Sequence, residues 1–394
     1  MHRVAHILWL AALAACLAAC ASPTAGEAAP TPTAVPAWDG QRLPTPGGPY
    51  GVGHRQAFVT DTARAEVHTP APDDSRELLV HIWYPADPPP GAQPGPYMEQ
   101  SLALAYDLPP DANTWLGHAV QDAPLADTGA ALPVVIFNAG FNSVLEAYAA
   151  LLEELASRGY VVAATSHPYA DQYALLADGS VVEYPGDQAF VDAWEGRDPY
   201  NRELYEMWVP DTLAVVQELV RLNQESFDGR LALDRLAFAG HSFGGGASAE
   251  VCRLVGAACA GAINLDGSHS TRLQEAAMEA PYLYIAASQT GSAQTAELRR
   301  VYEAALSEVY LVEIAGATHF GFSDGYYLLE AAGSLDEQRR AAFGTIEPER
   351  MIALVRAYSL AFLDCTLRGL DVPALEDLAA QDPEITLSSR HPRE

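Results

Sequence analysis

The sequence predicts an α/β protein with a mostly parallel central sheet that helices cover on both faces. Short, continuous apolar runs alternate with helical patterns along most of the chain, and such runs are typical of strands buried on both sides. Of its 394 residues, 49% are hydrophobic and 19% are charged, so the chain can bury a large core. The length fits one large domain with insertions.

The predicted elements follow one another in a regular order. A β-rich opening segment ends in the run 76–85, and the Pro-rich stretch 87–96 predicts a loop. Beyond that loop, strands are predicted over 132–137, 160–165, 235–239, 260–265, 282–287 and 309–314. Helices are predicted over 145–157, 211–222 and 348–367, the last of them long and amphipathic.

Residues 1–20 have the pattern of a secretion signal: a basic start, an apolar run, and Leu17-Ala18-Ala19-Cys20 at the end. This run is too short for a membrane span. Its end resembles a bacterial lipobox, so we expect lipidation at Cys20, although Cys16 offers the same pattern and a plain secretory signal is the alternative. Either case predicts an extracytoplasmic protein, anchored to the membrane or secreted.

The remaining chain divides into a tether, a domain and an insertion. Residues 21–46 are rich in Ala, Pro and Thr, which predicts a disordered tether, and residues 47–394 are predicted to form a single domain. Within it, residues 169–210 are long, polar and aromatic without a clean period. Such stretches are typical of lids, with a packed surface elaboration as the alternative.

The charge balance excludes one class of partner. With 51 acidic and 22 basic residues, the formal net charge is -29, and such a surface repels nucleic acid and anionic lipid. We therefore expect no nucleic-acid partner, and membrane contact only through a lipid at Cys20. Charge gives no information on oligomeric state.

The cysteines leave two possibilities open. Cys252 and Cys259 could form a local disulfide in an oxidising compartment, or they could remain free and buried. Together with Cys365 they are spread too widely for a zinc site.

The strongest chemical signal is Gly240-His241-Ser242-Phe243-Gly244, at the point where an apolar strand gives way to a helical pattern. In this context the pentapeptide predicts a nucleophile elbow with Ser242 as nucleophile. Side chains two residues on either side would collide, which explains Gly240 and Gly244. The Phe243 N–H, at the start of the helix, is a candidate oxyanion donor.

A serine nucleophile needs a base, and in this arrangement the histidine comes last, after a late strand. His319 follows the predicted strand 309–314 directly. His241 lies inside the elbow and His269 lies before the last two predicted strands. His391 lies in a polar tail for which no preceding strand is predicted. His319 is therefore the predicted base.

The acid is expected between Ser242 and His319. The strand 282–287 ends without a carboxylate, whereas one strand earlier Asp266 comes at a strand end before a glycine. Asp266 is the predicted acid, and Glu297 is the alternative. The loop Asn138-Ala139-Gly140-Phe141-Asn142 follows the strand 132–137, so the Phe141 N–H is predicted to be the other oxyanion donor.

From Gly48 onward the chain resembles the secreted platelet-activating factor acetylhydrolase family of the α/β-hydrolase superfamily, and particularly its bacterial relatives. The resemblance lies in the segments 48–53 and 82–86, the elbow, Leu265-Asp266 and the His319 loop. The acid on the strand directly after the elbow helix is its most specific element.

The resemblance implies calcium-independent hydrolysis of short or oxidised acyl esters, as in phospholipids with a short second acyl chain, without a metal or organic cofactor. Ala139-Gly140 stands where the family often has His-Gly. Two alternatives are a general carboxylesterase or polyester hydrolase of the cutinase or dienelactone hydrolase kind, and a non-catalytic lipoprotein that binds acyl groups.

Overall fold

A computed structural model describes residues 42–69, 71, 73–110, 113, 116–186, 198–288, 292–371 and 374–391. The predicted signal over 1–20, with Cys16 and Cys20, lies outside the described residues. So do the tether up to residue 41 and residues 187–197 of the predicted lid.

Ten of the described strands form one central sheet. The strands are β1 (Gly51–Ala65), β2 (Ser75–Ala86), β3 (Val120–Gln121), β4 (Leu132–Asn138), β5 (Val161–Thr165), β6 (Tyr173–Leu175), β7 (Val181–Glu183), β8 (Leu231–His241), β9 (Cys259–Leu265), β10 (Tyr282–Ala287), β11 (Val309–Ile314) and β12 (Ile385–Arg390). The sheet order is β12-β11-β10-β9-β8-β4-β5-β2-β1-β3, and β6 pairs with β7 separately. From β5 through β4 and β8 to β11 all neighbours are parallel. The prediction of a mostly parallel sheet is therefore confirmed.

Helices cover both faces of this sheet. They are α1 (Gln100–Ala105), α2 (Ala149–Ser157), α3 (Asp198–Ser226), α4 (Phe243–Val255), α5 (Thr271–Glu275), α6 (Ser292–Ala304), α7 (Gly325–Ala331), α8 (Glu337–Ala341), α9 (Pro348–Arg368) and α10 (Leu375–Ala379). Residues of α3, α4 and α6 share one core cluster with Ile136 of β4. Residues of α2 and α9 share a second cluster, on the opposite face, with Val135 and Phe137. Successive residues of β4 thus point into opposite cores, which explains its continuous apolar run.

The helix α3 begins at Asp198, well before the predicted start at residue 211. Pro210 lies inside the helix. Because proline has no N–H and usually interrupts a helix, its position in the sequence predicts a helix start after it. Leu204 and Trp208 are buried in the main core. Their burial favours the packed alternative for this part of the segment, and the lid over 169–210 remains a prediction.

The C-terminal tail also differs from the prediction. The strand β12 precedes His391 and pairs antiparallel with β11, so that Arg390 lies opposite Val309. Its apolar and polar residues alternate at the half-buried edge of the sheet, a pattern easily mistaken for a polar tail. Because Val309 begins β11, His391 lies at the opposite end of the sheet from the residues that follow β11.

The domain begins earlier than the predicted boundary at residue 47. Leu43 is buried, and its N–H donates to the Leu116 carbonyl at 2.9 Å. The buried guanidinium of Arg356 donates to the carbonyls of Pro44 and Thr45. A buried cation needs such acceptors, and residues 42–46 therefore belong to the fold rather than to the tether.

Cys252 and Cys259 form a disulfide that joins the end of α4 to the start of β9, which decides between the two alternatives that the sequence left open. Cys365 is free and exposed. In the described part of the chain, no helix combines the length and apolar character needed to cross a bilayer.

Candidate active site

The nucleophile elbow lies between β8 and α4. Ser242 has φ 55° and ψ -126°, a conformation that costs free energy in a residue with a side chain. The neighbouring glycines make the turn possible. A Cβ on Gly240 would lie 2.4 Å from the Gly244 carbonyl oxygen, and one on Gly244 would lie 2.0 Å from that of Ala139. Both positions therefore exclude any side chain.

His319 stands directly over this serine. It begins a short 3₁₀ turn after β11, and its Nε2 lies 2.9 Å from Ser242 Oγ. The His319 side chain is 36% exposed, and Phe320 beside it is 58% exposed. This geometry allows the ring to accept the hydroxyl proton and return it to a leaving group at the surface.

Asp266 completes the group from the end of β9. Its carboxylate is buried, with Oδ2 2.7 Å from Nδ1 of His319. The Ala287 N–H donates to Oδ1 at 2.9 Å and so fixes the other oxygen. Asp266, rather than the alternative Glu297, is therefore placed to accept a hydrogen bond from Nδ1–H, an arrangement that leaves Nε2 free to accept from Ser242.

The loop after β4 faces the elbow. A Cβ on Gly140 would lie 3.3 Å from Ser242 Cβ, so the backbone passes close to the nucleophile. Phe141 follows, and Phe243 is the first residue of α4, where N–H groups have no acceptor within the helix. The structure thus places both predicted donor residues beside Ser242.

Aromatic side chains surround these two residues. The Phe141 ring meets Tyr184, just after β7, edge-on at 5.3 Å, and the Phe243 ring lies 4.5 Å from that of Tyr205. The half-buried Phe141 and Tyr184, with the exposed Phe320, give the site an apolar border suited to the acyl or alkyl part of an ester.

The sequence did not reveal that His241 connects the loop 138–142, here called the oxyanion loop, to the His319 loop. Its Nε2 lies 3.0 Å from the His319 carbonyl, and its Nδ1 lies 2.9 Å from the Tyr148 hydroxyl. The Gly140 N–H donates to that hydroxyl at 3.0 Å. Burial, followed by the neighbouring His319, holds the pKa of His241 well below its ordinary value. A neutral ring with its proton on Nε2 satisfies both contacts. Tyr148 belongs to no motif that would have identified it.

Among the described residues, no group of three or more His, Cys, Asp or Glu side chains is arranged to hold a metal ion.

Comparison with known proteins indicates an ester hydrolase. The sequence model of the family described as platelet-activating factor acetylhydrolase, isoform II, matches residues 38–178, a stretch that includes the oxyanion loop and ends before Ser242. A probable 1-alkyl-2-acetylglycerophosphocholine esterase from Arthroderma benhamiae is 23% identical over 383 residues, covering 87% of this chain and 92% of that protein. The chain is a serine ester hydrolase that is similar to the platelet-activating factor acetylhydrolases. The resemblance drawn from the sequence is thereby confirmed.

A solved structure extends the comparison to the fold. The ferulic acid esterase from Streptomyces cinnamoneus has a TM-score of 0.73 and 26% sequence identity. The match covers 88% of this chain and 99% of that one. The chain therefore has the α/β-hydrolase fold over nearly its whole domain, as predicted.

Proposed function

We propose that this esterase removes short or oxidised acyl groups from phospholipids, with Ser242 as nucleophile, His319 as base and Asp266 as the acid that orients it. Ser242 Oγ attacks the ester carbonyl while its proton passes to His319, and the tetrahedral oxyanion lies against the N–H groups of Phe141 and Phe243. Collapse expels the alcohol, which takes the proton from His319. Water then releases the acid by the same steps in reverse order.

One observation carries this proposal: the contact between His319 and an acid that directly follows β9, the strand next to the nucleophile strand. That early acid is the most specific element of the resemblance to the acetylhydrolases. The Arthroderma relative, whose name specifies an acetyl ester of a glycerophosphocholine, supports a short acyl chain. The apolar border formed by Phe141, Tyr184 and Phe320 supports a lipid-like substrate.

A second candidate is a general esterase for soluble alkyl or aryl esters. The structural match to a ferulic acid esterase favours it, since that protein's name specifies an ester of an aryl acid. A one-third exposed His319 also leaves room for a bulky substrate.

We further propose that the mature protein is extracytoplasmic and held to the membrane through lipid on Cys20. The Leu17-Ala18-Ala19-Cys20 pattern supports this location. The Cys252–Cys259 disulfide supports it as well, because such bonds persist in oxidising compartments.

The deciding assay uses the chain from residue 21 onward, which retains the packed residues 42–46, in the presence of EDTA. Phosphatidylcholines with acetyl, butyryl and long second acyl chains are compared with p-nitrophenyl butyrate and methyl ferulate, and Ser242→Ala is the blank. We expect cleavage of the short-chain lipids and not of the long-chain one. Cleavage of only the soluble esters would replace the phospholipid proposal with the second candidate. An inert protein would support the non-catalytic alternative.

A further inference from the structure

A second histidine–aspartate pair lies buried behind the oxyanion loop. Nδ1 of His167, which follows β5, lies 2.9 Å from Oδ2 of Asp211 in α3, and both side chains are fully buried. Neither residue touches Ser242, His319 or Asp266 in the described contacts. The hydrolytic steps above leave this pair without a function.

The charge on Asp211 is fixed by two arginines. Arg76 bonds to both carboxylate oxygens, at 3.2 and 2.8 Å, and Arg64 lies 2.7 Å from Oδ1. Although burial acts in the opposite direction, Arg76 and the His167 hydrogen bond lower the pKa of Asp211. The carboxylate therefore stays ionised and holds the His167 ring by a charge-assisted bond.

The other side of the His167 ring reaches the oxyanion loop. Nε2 lies 3.1 Å from Oδ1 of Asn138, the last residue of β4. Because Nδ1–H already donates to the Asp211 carboxylate, this contact is a hydrogen bond in the ring form that carries a proton on both nitrogens. The Asn138 amide also bonds Ser248 of α4 at 2.8 Å and Thr212 of α3 at 3.0 Å. One side chain at the start of the loop is thus fixed to three separate elements.

The far end of the loop leads back to the same turn. The Asn142 N–H donates to the Ala170 carbonyl at 2.8 Å, and the Ala170 N–H donates to the His167 carbonyl at 2.9 Å. Residues 139–141 therefore lie between two anchors, Asn138 and Asn142, that both depend on the turn 167–171.

The ring also supports the other donor residue. His167 stacks on Trp208 with ring centroids 3.9 Å apart and an interplanar angle of 8°. Trp208 in turn meets Phe243 edge-on at 5.0 Å. One buried imidazole is thus connected to the backbone on both sides of the oxyanion site.

We propose that His167 is a positioning residue for ester hydrolysis, which through Asn138, Trp208 and the 167–171 turn fixes the N–H groups of Phe141 and Phe243 for the oxyanion. The inference rests on the donor roles proposed above. Such a residue stabilises the transition state and leaves the ground state little changed, because the donors bond fully only to the oxyanion.

Two substitutions of this one residue separate positioning from simple packing. His167→Asn keeps a polar atom near the Nδ1 position, facing Asp211, and loses the contact with Asn138. His167→Gln keeps one near the Nε2 position, facing Asn138. His54→Asn is the matched control, since His54 is a buried histidine on β1 with side-chain bonds to Gln121 and His81.

We expect His167→Asn to lower kcat by about 30- to 100-fold with KM within about threefold, and His167→Gln to retain kcat within about fivefold. His54→Asn should change kcat by less than about threefold even where it lowers Tm as much. All rates are divided by the number of active sites, titrated to completion with a fluorophosphonate. The substrate is p-nitrophenyl butyrate, so that failure of the phospholipid proposal does not affect the result.

A trifluoromethyl ketone gives a second measurement. Ser242 Oγ adds to its carbonyl carbon, the serine proton passes to His319, and the resulting oxyanion occupies the donor site. Its affinity should fall in His167→Asn by the same factor as kcat. Asn138→Ala removes the same contact between Asn138 and His167. It should lower kcat and the inhibitor affinity while leaving KM nearly unchanged, and it tests the proposal if His167→Asn does not fold. Equal kcat and inhibitor affinity in wild type and either folded variant would overturn it.

Discussion

Oδ2 of Asp266 lies 2.7 Å from Nδ1 of His319, although the two residues are 53 positions apart in the chain. The contact depends on the order of the strands in the sheet. The acid follows β9, which lies directly beside the nucleophile strand β8. On its other side β9 is separated by β10 from β11, the strand that His319 follows. The next strand, β10, ends at Ala287 and supplies only a backbone N–H to the carboxylate. The early position of the acid thus follows from the order of the strands.

Removing the nucleophile or the base should abolish most turnover. Ser242→Ala or His319→Ala is expected to lower kcat by about four orders of magnitude, because either loss removes the same concerted step. Steady-state hydrolysis of p-nitrophenyl butyrate checks this, with the exposed Ser180→Ala as a control that keeps wild-type rates. Turnover near wild type in Ser242→Ala would refute the assignment.

The acid can be tested against the alternative that the sequence offered. Asp266→Asn should lower kcat by about 10³- to 10⁴-fold, since the amide cannot stabilise the imidazolium and favours the wrong tautomer. Glu297→Gln should stay within about threefold of wild type. A larger loss in Glu297→Gln than in Asp266→Asn would reverse the assignment.

A buried carboxyl group should make stability depend on pH. Burial raises the pKa of Glu146 from 4.5 to about 7. His81 Nε2 lies 3.5 Å from Oε1 of this carboxyl group, but the ring stays neutral because burial places its pKa well below the ordinary value. Between pH 4.5 and about 7, Glu146 holds a proton in the folded state that it has lost in the unfolded chain. The free energy of unfolding should therefore fall as pH rises from about 4.5 to 7, by on the order of 3 kcal/mol from this group.

Urea unfolding at pH 4.5, 5.5, 6.5 and 8 checks this dependence. Glu146→Gln should gain stability relative to wild type as pH rises, and the exposed Glu337→Gln should follow wild type at every pH. If the curves for Glu146→Gln and wild type run parallel, the raised pKa is wrong.

The disulfide should contribute stability without contributing to catalysis. Cys252 and Cys259 are separated by 7 positions, and closing so short a loop is worth about 2–3 kcal/mol in the chain-entropy account. The double variant Cys252→Ser, Cys259→Ser should lose that much in urea unfolding and keep kcat within about twofold. A large loss of kcat at a temperature where the variant is folded would show that the bond positions the elbow helix.

Much of this architecture could be predicted because the parallel strands are buried on both faces. Their apolar runs are continuous, and β10 and β11 lie where they were predicted. The elbow could be located because its tight turn leaves no room for a side chain at two positions, so glycine is required there in any sequence.

The remaining features depend on contacts distant in sequence. Pro210 hid the first half of α3, whose stability comes from burying Trp208 in the core rather than from local propensity. The strand β12 exists because it pairs with the edge strand β11. His167 and Tyr148 follow no motif, and only the fold brings them to the oxyanion loop.

The most direct test of the account is to identify the residue that becomes covalently modified. The purified chain is treated with a fluorophosphonate, or mixed with p-nitrophenyl butyrate and quenched in acid, and its peptides are analysed by mass spectrometry. We expect one phosphonyl or butyryl group on the peptide that contains Ser242 and none in Ser242→Ala. A modification on another residue, or hydrolysis that continues in Ser242→Ala without any modification, would contradict it.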